Sequence, residues 1–199
     1  MNTSLLVVFS HGKESGPHGR KLQALAQVAR EHGALTVSVD YRESPIGMKH
    51  DANRPGEAER RVGQLLAEPL PKADRTVLVG SSMGGYVSTV AALTRPVDGL
   101  FLLAPAFFLQ GYGAQSFEGT LPPTEIVHGW SDEVVPWQNS ARFAERHRCT
   151  LHLINGDHRL DEALPRIERL FRLFLSSGAP HGECNENLVK CPPTELDRE

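Results

Sequence analysis

The chain has 199 residues, of which 40% are hydrophobic and 23% are charged, and its formal net charge is -3. This length and composition fit one globular domain that buries its own core without help from disulfides or metals. The small negative charge gives no reason to expect nucleic acid as a partner.

The N-terminal region enters an apolar run of five residues, Leu5–Phe9, without a basic flank or a small-residue cleavage pattern. The run is too short for a membrane span and unlike a signal peptide, so we interpret it as a β-strand. The cysteines Cys149, Cys184 and Cys191 form neither an even set nor a Cys-x-x-Cys pair, and nothing requires an oxidising compartment. We predict a cytoplasmic protein with no membrane partner, and the oligomeric state stays open.

Short apolar runs alternate with longer helical patterns from residue 4 onward, which is typical of a parallel sheet covered by helices on both faces. The runs lack clean polar alternation, as expected for strands that are buried on both faces. The predicted strands are Ser4–Ser10, Leu35–Tyr41, Thr76–Gly80, Gly99–Leu103, Glu125–Gly129 and Thr150–Ile154. The predicted helices are Lys21–Glu31, Pro55–Glu68, Ser82–Thr94, Trp137–His147 and Leu160–Leu175.

From about Ser176 the composition changes to glycine, proline, asparagine and charged residues, with almost no apolar periodicity. We therefore predict a single domain over residues 1–175 and a disordered or loosely docked tail over residues 176–199. A second unusual segment, residues 104–123, has no convincing helical pattern but is rich in apolar side chains. Such a loop must be buried or must line a pocket.

The stretch "VLVGSSMGGY", residues 77–86, contains the pattern Gly-x-Ser-x-Gly after an apolar run and before a helical pattern. In a nucleophile elbow the turn is so sharp that the central serine is strained, and side chains two residues before and after it do not fit. Gly80 and Gly84 meet that requirement, so Ser82 is the candidate nucleophile and Ser81 fills the turn. The alternative is that these serines only end a strand and cap a helix.

A serine hydroxyl needs an adjacent imidazole as a base and a carboxylate that orients the imidazole. Asp132 follows the fifth predicted strand, at the carboxyl edge where ligands bind in open α/β sheets; its neighbour Glu133 is the main rival. His158 follows the sixth strand at the same edge, whereas His152 is expected to be buried inside a strand and His147 lies on a helix. The acid alone could be a turn residue or a helix cap, but serine, acid and histidine occur in the order that elbow hydrolases use.

The segment "HGKESGP" after the first predicted strand offers donors for an oxyanion. A loop at this place can present backbone N–H groups to the developing negative charge, together with the N–H of the residue after the nucleophile. The candidate donors are the amides of Lys13 and Met83. His11 comes before the serine, beside the loop glycine Gly12, so we interpret it as structural support rather than as the base.

Four motifs, "HGKESGP", "GSSMGG", "HGWSDEVVPW" and "GDHRL", together resemble those of compact serine hydrolases of the α/β-hydrolase superfamily. The resemblance covers about residues 4–175 and is strongest to small lidless bacterial esterases and acyl-protein thioesterase-like hydrolases. It implies a minimal α/β-hydrolase fold with a six-stranded, mainly parallel sheet, helices on both faces and no large cap. The implied strand order is second, first, then third to sixth. On this resemblance the chain departs from full-length members by lacking their first two strands, since its own first predicted strand already carries the oxyanion loop.

The resemblance also implies an acyl-enzyme mechanism, in which Ser82 attacks an ester or thioester carbonyl, His158 takes its proton and Asp132 orients His158. The amides of Lys13 and Met83 would hold the oxyanion. We predict a serine carboxylesterase for small to medium acyl groups, with no cofactor and no metal, since the histidines lack ligand spacing. An acyl-protein or acyl-CoA thioesterase is the alternative, and a noncatalytic ligand-binding module on a hydrolase scaffold is a third hypothesis.

The sequence leaves the substrate open beyond a small-molecule ester or thioester. Arg42, after the second strand, could meet a substrate carboxylate, although such a residue more often pairs with a neighbouring acid. Apolar side chains that could form an acyl pocket near the nucleophile, or could equally belong to the core, are Phe107, Phe108, Leu109, Tyr112, Phe117 and Trp137.

Overall fold

The computed structural model describes residues 3–42 and 51–177. Nearly all of the predicted tail, 176–199, lies outside these residues, as do Cys184 and Cys191. In chain order the elements are β1 (Thr3–Ser10), α1 (Arg20–Glu31), β2 (Leu35–Val39), α2 (Glu57–Ala67), β3 (Ala73–Ser81), α3 (Met83–Thr94), β4 (Gly99–Leu103), β5 (Thr124–Gly129), α4 (Trp137–His147), β6 (Thr150–Ile154) and α5 (Leu164–Ser176).

The six strands form one sheet in the order β2-β1-β3-β4-β5-β6. All five strand pairings are parallel, and they bring Ser10 of β1 beside Gly80 of β3, and Ser81 beside Leu103 of β4. Because the strands run in one direction, their carboxyl ends lie along a single edge of the sheet. The predicted α/β fold and the strand order implied by the resemblance are confirmed.

Two cores lie on the two faces of the sheet, because alternate side chains of the buried strands point to opposite faces. One core joins Val7 and Phe9 of β1 to α1 and α5. The other joins Leu6 and Val8 to α2, α3 and α4. In α1 the apolar stripe predicted from three-to-four-residue spacing is buried: Leu22, Leu25, Ala26, Val28 and Ala29.

Several element boundaries differ from the predicted ones. β3 begins at Ala73, three residues before the predicted start, because its first residues continue the pairing with β1 although Asp74 and Arg75 interrupt the apolar run. α5 begins at Leu164 and not at Leu160, since Leu160 has a φ of 58°, which no right-handed helix accepts. Pro165, in the first helical turn, suits the observed start.

The edge strands β2 and β6 are less buried than the prediction of strands covered on both faces implies. His152 of β6, expected to be buried, is half-buried and its Nε2 lies 2.9 Å from Glu125 Oε2 on the neighbouring β5. No large cap is inserted between the strands within residues 3–42 and 51–177. None of the helices in these ranges is long and apolar enough to cross a membrane.

Candidate active site

Ser82 occupies the turn between β3 and α3 with a φ of 54° and a ψ of -119°, a strained conformation for a residue with a side chain. A Cβ on Gly80 would overlap the backbone of Gly84, and a Cβ on Gly84 would overlap the carbonyl of Ser10 in β1. Both glycines are therefore needed for the tight strand-to-helix turn. Ser81 is buried as the last residue of β3, as expected for the serine that fills the turn.

The turn places Ser82 at the carboxyl edge of the sheet, in a hydrogen-bond chain with the two other predicted residues. Its Oγ lies 3.1 Å from Nε2 of His158, in the loop after β6. Nδ1 of His158 lies 2.7 Å from Oδ2 of Asp132, in the loop after β5. Glu133, the rival acid, is exposed. The structure thus brings together one serine, one imidazole and one buried carboxylate.

Asp132 is held by donors on both carboxylate oxygens. Its Oδ1 accepts the backbone N–H groups of Val134 and Val135, at 2.9 and 2.8 Å. Its Oδ2 accepts from His158 and also lies 3.0 Å from Nε2 of His128. Burial raises the pKa of the Asp132 carboxyl, but the hydrogen bonds from His128, His158 and Val135 outweigh burial and hold the pKa well below its ordinary value. The carboxylate therefore stays charged at neutral pH.

His128 is a site residue that the sequence analysis missed. It lies on β5, is fully buried, and its Nδ1 is 2.7 Å from Oγ of Ser140 on α4. The hydrogen-bond chain therefore extends from Ser82 through His158 and Asp132 to His128 and Ser140. A histidine inside an apolar strand, four residues before the candidate acid, was the available signal for this contact.

The acid loop and the histidine loop are joined to each other by their backbones. The N–H groups of Trp130 and Ser131 donate to the carbonyls of Ile154 and Gly156, at 2.9 and 3.0 Å. A Cβ on Gly129 would overlap the carbonyl of Gly156, so the two loops pack without an intervening side chain. These contacts fix the position of Asp132 relative to the histidine loop.

Lys21 of α1, also missed by the sequence analysis, donates from Nζ to the carbonyl of His158 at 3.2 Å. Burial lowers the pKa of the Lys21 ammonium, while the nearby carboxylates of Asp161, Asp132 and Asp157 oppose that change. Lys21 thus connects the histidine loop to α1 on the face of the sheet that carries α1 and α5.

The predicted oxyanion donors lie on the two segments that flank the nucleophile. Met83 is the first residue of α3, and the first N–H groups of a helix have no acceptor within the helix. Lys13 lies in the loop after β1. A Cβ on Gly12 would be 3.4 Å from Cβ of Ser82, so this loop passes directly beside the serine.

His11 is fully buried and contacts its own loop and β2. Its Nε2 accepts the N–H of Tyr41 at 3.2 Å, and its Nδ1 lies 2.8 Å from the Gly12 carbonyl. Burial lowers the pKa of His11 to about 4 and outweighs the hydrogen bond to the Gly12 carbonyl, which raises it; the charges of Arg61 and Arg42 lower it further and that of Asp40 opposes them. A neutral imidazole with Nδ1 protonated fits both contacts. Neither of these contacts involves Ser82.

The apolar segment 104–123 covers α3 and α4. Phe107 and Phe117 are buried in the core, and Phe107 stacks on Phe143 of α4 with ring centroids 4.0 Å apart. Phe108 and Tyr112 are half-buried against the same core. Leu109 and Trp137 are also half-buried, and Trp137 packs edge-on against Trp130, which is 52% exposed.

Arg42 forms an ion pair with Asp40, at 2.7 Å between Nη2 and Oδ2, on an exposed surface. This is the pairing with a neighbouring acid that such an arginine more often makes. His147 packs on Phe143 at the end of α4, away from the hydrogen-bond chain. Within the part of the chain that the structure describes, no three His, Cys, Asp or Glu side chains are grouped to hold a metal ion.

A parallel sheet in this order, with helices on both faces, is the fold of the α/β hydrolases. A protein from Xanthomonas campestris pv. campestris, assigned to the hydrolases of the alpha/beta superfamily, has a similar solved structure. It is 28% identical, the alignment covers 87% of this chain and 99% of that one, and the TM-score is 0.71. Est1E from Butyrivibrio proteoclasticus, solved with ferulic acid bound, has the same fold at 19% identity and a TM-score of 0.71, over 89% of this chain and 90% of its own.

Sequence comparison gives the family within this class. Residues 6–121 match the model described as "Uncharacterised protein family (UPF0227)", and the chain belongs to that family. A curated relative is the mitochondrial palmitoyl-protein thioesterase ABHD10 of Mus musculus. It is 26% identical over 212 aligned positions, which cover 78% of this chain and 69% of the relative. The chain is thus a small α/β hydrolase with esterases and a thioesterase among its relatives and structural neighbours.

Proposed function

We propose that the chain is a serine hydrolase that cleaves carboxylic esters of small to medium acyl groups through a covalent acyl-enzyme. The observation that carries this proposal is the hydrogen-bond chain from Ser82 through His158 to Asp132. A serine in a strained elbow, an imidazole within hydrogen-bond distance and a buried carboxylate behind it are what nucleophilic catalysis at a carbonyl requires.

In the proposed reaction, Oγ of Ser82 attacks the carbonyl carbon of the ester while Nε2 of His158 takes the hydroxyl proton. The tetrahedral intermediate collapses, the C–O bond to the alcohol breaks, and His158 gives its proton to the departing alcohol oxygen. A water molecule then attacks the acyl-enzyme, with His158 again as base, and the carboxylic acid leaves Ser82. Asp132 keeps Nδ1 of His158 protonated and stabilises the imidazolium form.

Two backbone amides are proposed to hold the oxyanion in both steps. The Met83 N–H has no helical acceptor, and the helix dipole of α3 adds partial positive charge at its N-terminus. The Lys13 N–H lies in the loop that passes beside Ser82. Two N–H donors directed at one oxygen are the usual composition of an oxyanion hole.

His128 is proposed to position the acid. It shares Oδ2 of Asp132 with His158 and is itself held by Ser140. Nε2 of His128 must carry a proton to donate to the carboxylate, and the Val135 carbonyl lies 3.0 Å from the same nitrogen. A carboxylate with this many fixed donors cannot rotate away from His158.

The acyl group is proposed to lie against the half-buried side chains of the predicted pocket. Phe107 and Phe117 support that surface from the core, while Phe108, Leu109, Tyr112 and Trp137 retain exposed area. Without a large cap over the described residues, the site admits substrates with bulky leaving groups. Thioester hydrolysis is the second candidate, because the mouse relative is a palmitoyl-protein thioesterase.

A panel of p-nitrophenyl esters with acyl chains of increasing length, tested beside acyl-CoAs and an S-acylated peptide, tests the proposal. We expect turnover of the short and medium esters that disappears in the Ser82→Ala variant. Ser81→Ala is the matched control and should keep most of the activity, because the Ser81 side chain is buried and not in the hydrogen-bond chain. Preferred turnover of acyl-CoA or acyl-peptide would favour the thioesterase reading, and turnover that survives Ser82→Ala would refute the proposal.

A further inference from the structure

α2 carries a buried charged pair that reaches the loop after β1. Arg61 is 1% exposed and is the largest fully buried side chain of the described residues. Its Nε donates to Oε1 of Glu57 at 2.7 Å. Burying such a pair costs desolvation energy and contributes little to stability by itself, so its remaining contacts are informative.

The two terminal nitrogens of the Arg61 guanidinium face the carbonyl oxygens of three consecutive loop residues. Nη1 lies 3.1 Å from the carbonyl of Gly12 and 3.5 Å from that of His11, and Nη2 lies 3.4 Å from that of Lys13. A planar guanidinium offers several donors in fixed directions, which a lysine ammonium cannot reproduce.

The carbonyl of Gly12 receives a second donor from the other side. Nδ1 of His11 lies 2.8 Å from it, and Nε2 of the same ring accepts from the Tyr41 amide, which leaves the ring proton on Nδ1. One buried carbonyl thus accepts from both an arginine and a histidine.

That carbonyl belongs to the same peptide unit as the Lys13 N–H. In a trans peptide the C=O and N–H bonds point in opposite directions. Two donors that fix the Gly12 oxygen therefore fix the Lys13 N–H on the side away from Arg61 and His11. Hydrogen bonds to the carbonyl also polarise the peptide and strengthen its N–H as a donor.

We propose that Arg61, with His11, is a positioning residue that orients and polarises the Lys13 amide for the oxyanion. The inference rests on the proposed function, because it assigns a source of order to one of the two proposed oxyanion donors. Glu57 in turn holds Arg61, and Arg60 contributes a second ion pair to Glu57 at 2.7 Å. The loop after β1 is thus supported from within the protein and not by solvent.

The test compares Arg61→Lys, and the paired change Glu57→Gln with Arg61→Met, with the wild type. The paired change removes the two fully buried charges together. Arg60 loses its ion pair with Glu57 in this variant, but its side chain is partly exposed. Arg75→Met is the matched control, because Arg75 also donates to two consecutive carbonyls, those of Leu175 and Phe174, at the opposite end of β3. The measurements are kcat and KM on a short p-nitrophenyl ester, inhibition by an alkyl trifluoromethyl ketone, and the melting temperature.

We expect the Arg61 variants to lose about 10- to 100-fold in kcat, as for a misplaced catalytic donor, with little change in KM. Affinity for the ketone, which forms an oxyanion on Ser82, should fall by a similar factor. Arg75→Met should lower the melting temperature without lowering kcat. In the wild type, the Lys13 amide proton should move downfield in an NMR spectrum when the ketone binds, a readout that does not depend on any variant folding.

Folded Arg61 variants with wild-type kcat and ketone affinity, or an equal loss of kcat in Arg75→Met, would each overturn the inference and leave the proposed function in place. An unmoved Lys13 amide would overturn the inference together with the oxyanion role proposed for Lys13, and would leave Ser82-dependent hydrolysis in place. Absence of Ser82-dependent hydrolysis in the wild type would overturn the proposed function, and this inference with it.

Discussion

The buried histidine of the loop after β1 gives a quantitative prediction about stability and pH. The pKa of His11 is lowered from 6.5 to about 4 by burial, whereas in the unfolded chain it titrates at its ordinary value. Above pH 6.5 both states hold a neutral ring and His11 contributes no pH dependence. As the pH falls, the unfolded state takes up a proton that the folded state refuses, so the free energy of unfolding decreases.

The size of this effect follows from the two pKa values. A difference of about 2.5 between 6.5 and about 4 corresponds to about 3 kcal/mol. The loss should develop between pH 6.5 and 4 and then stop, because below about 4 both states are protonated. The carboxylates of Asp132 and Asp40, whose pKa values are lowered, lose their stabilisation only below their ordinary value of 3.8. Their window therefore lies below that of His11.

Urea unfolding at a series of pH values, from about 7.5 to about 4, measures the effect in the wild type and in His11→Asn. The asparagine keeps a donor near the Nδ1 position but does not titrate, so its curve should be flatter by about 3 kcal/mol over this range. His18→Asn, the same substitution at an exposed histidine of the same loop, is the matched control, and the difference between the two variants' curves isolates the buried site. Parallel curves for His11→Asn and the wild type would refute the assignment of a buried neutral imidazole.

Three further predictions concern the elbow, the acid and the aromatic loop. Gly84→Ala should destabilise the protein by about 3 kcal/mol or more, because the new Cβ overlaps the carbonyl of Ser10. Thermal or urea unfolding measures this loss, and near-wild-type stability would contradict the tight packing of the turn. Asp132→Asn should lower kcat by about 10⁴-fold, because the asparagine favours the wrong tautomer of His158. His128→Asn should lower kcat by about 10-fold through loss of one donor to the carboxylate. A larger loss of kcat in His128→Asn than in Asp132→Asn, measured by steady-state kinetics, would contradict this order. Phe117→Ala should cost about 3–5 kcal/mol of stability in urea unfolding, because the Phe117 ring packs against Phe107 and Phe143 in the core. Near-wild-type stability would contradict this packing.

Much of the fold could be predicted because buried parallel strands appear in the sequence as short apolar runs. The stripe on α1 and the glycines of the elbow are local patterns, and local patterns determine local structure. Where polar residues interrupt a pattern the prediction failed, as at Asp74 and Arg75, which lie inside β3. The start of α5 could have been predicted from Pro165, because proline favours the first turn of a helix. The positive φ of Leu160, which keeps this residue out of the helix, has no signal in the sequence.

The candidate site was harder to predict from the sequence where tertiary contacts decide the role of a residue. Arg61 occupies the buried face of α2 beside Ala58, Val62 and Leu65, but in the sequence it is an ordinary polar residue of an amphipathic helix. Only the approach of the loop after β1 gives it carbonyl partners. His128 lies only four residues before Asp132, so the sequence offered a local signal for this contact. Its second contact, to Ser140 of α4, depends on the fold.

Ser82 is the proposed nucleophile, and covalent labelling identifies a nucleophilic side chain residue by residue. The wild-type protein is treated with a fluorophosphonate, digested and mapped by mass spectrometry, beside Ser82→Ala and His158→Ala. We expect one adduct per chain on Ser82, slow labelling in His158→Ala and none in Ser82→Ala. An adduct on Ser81, or a wild type that resists the probe, would contradict it.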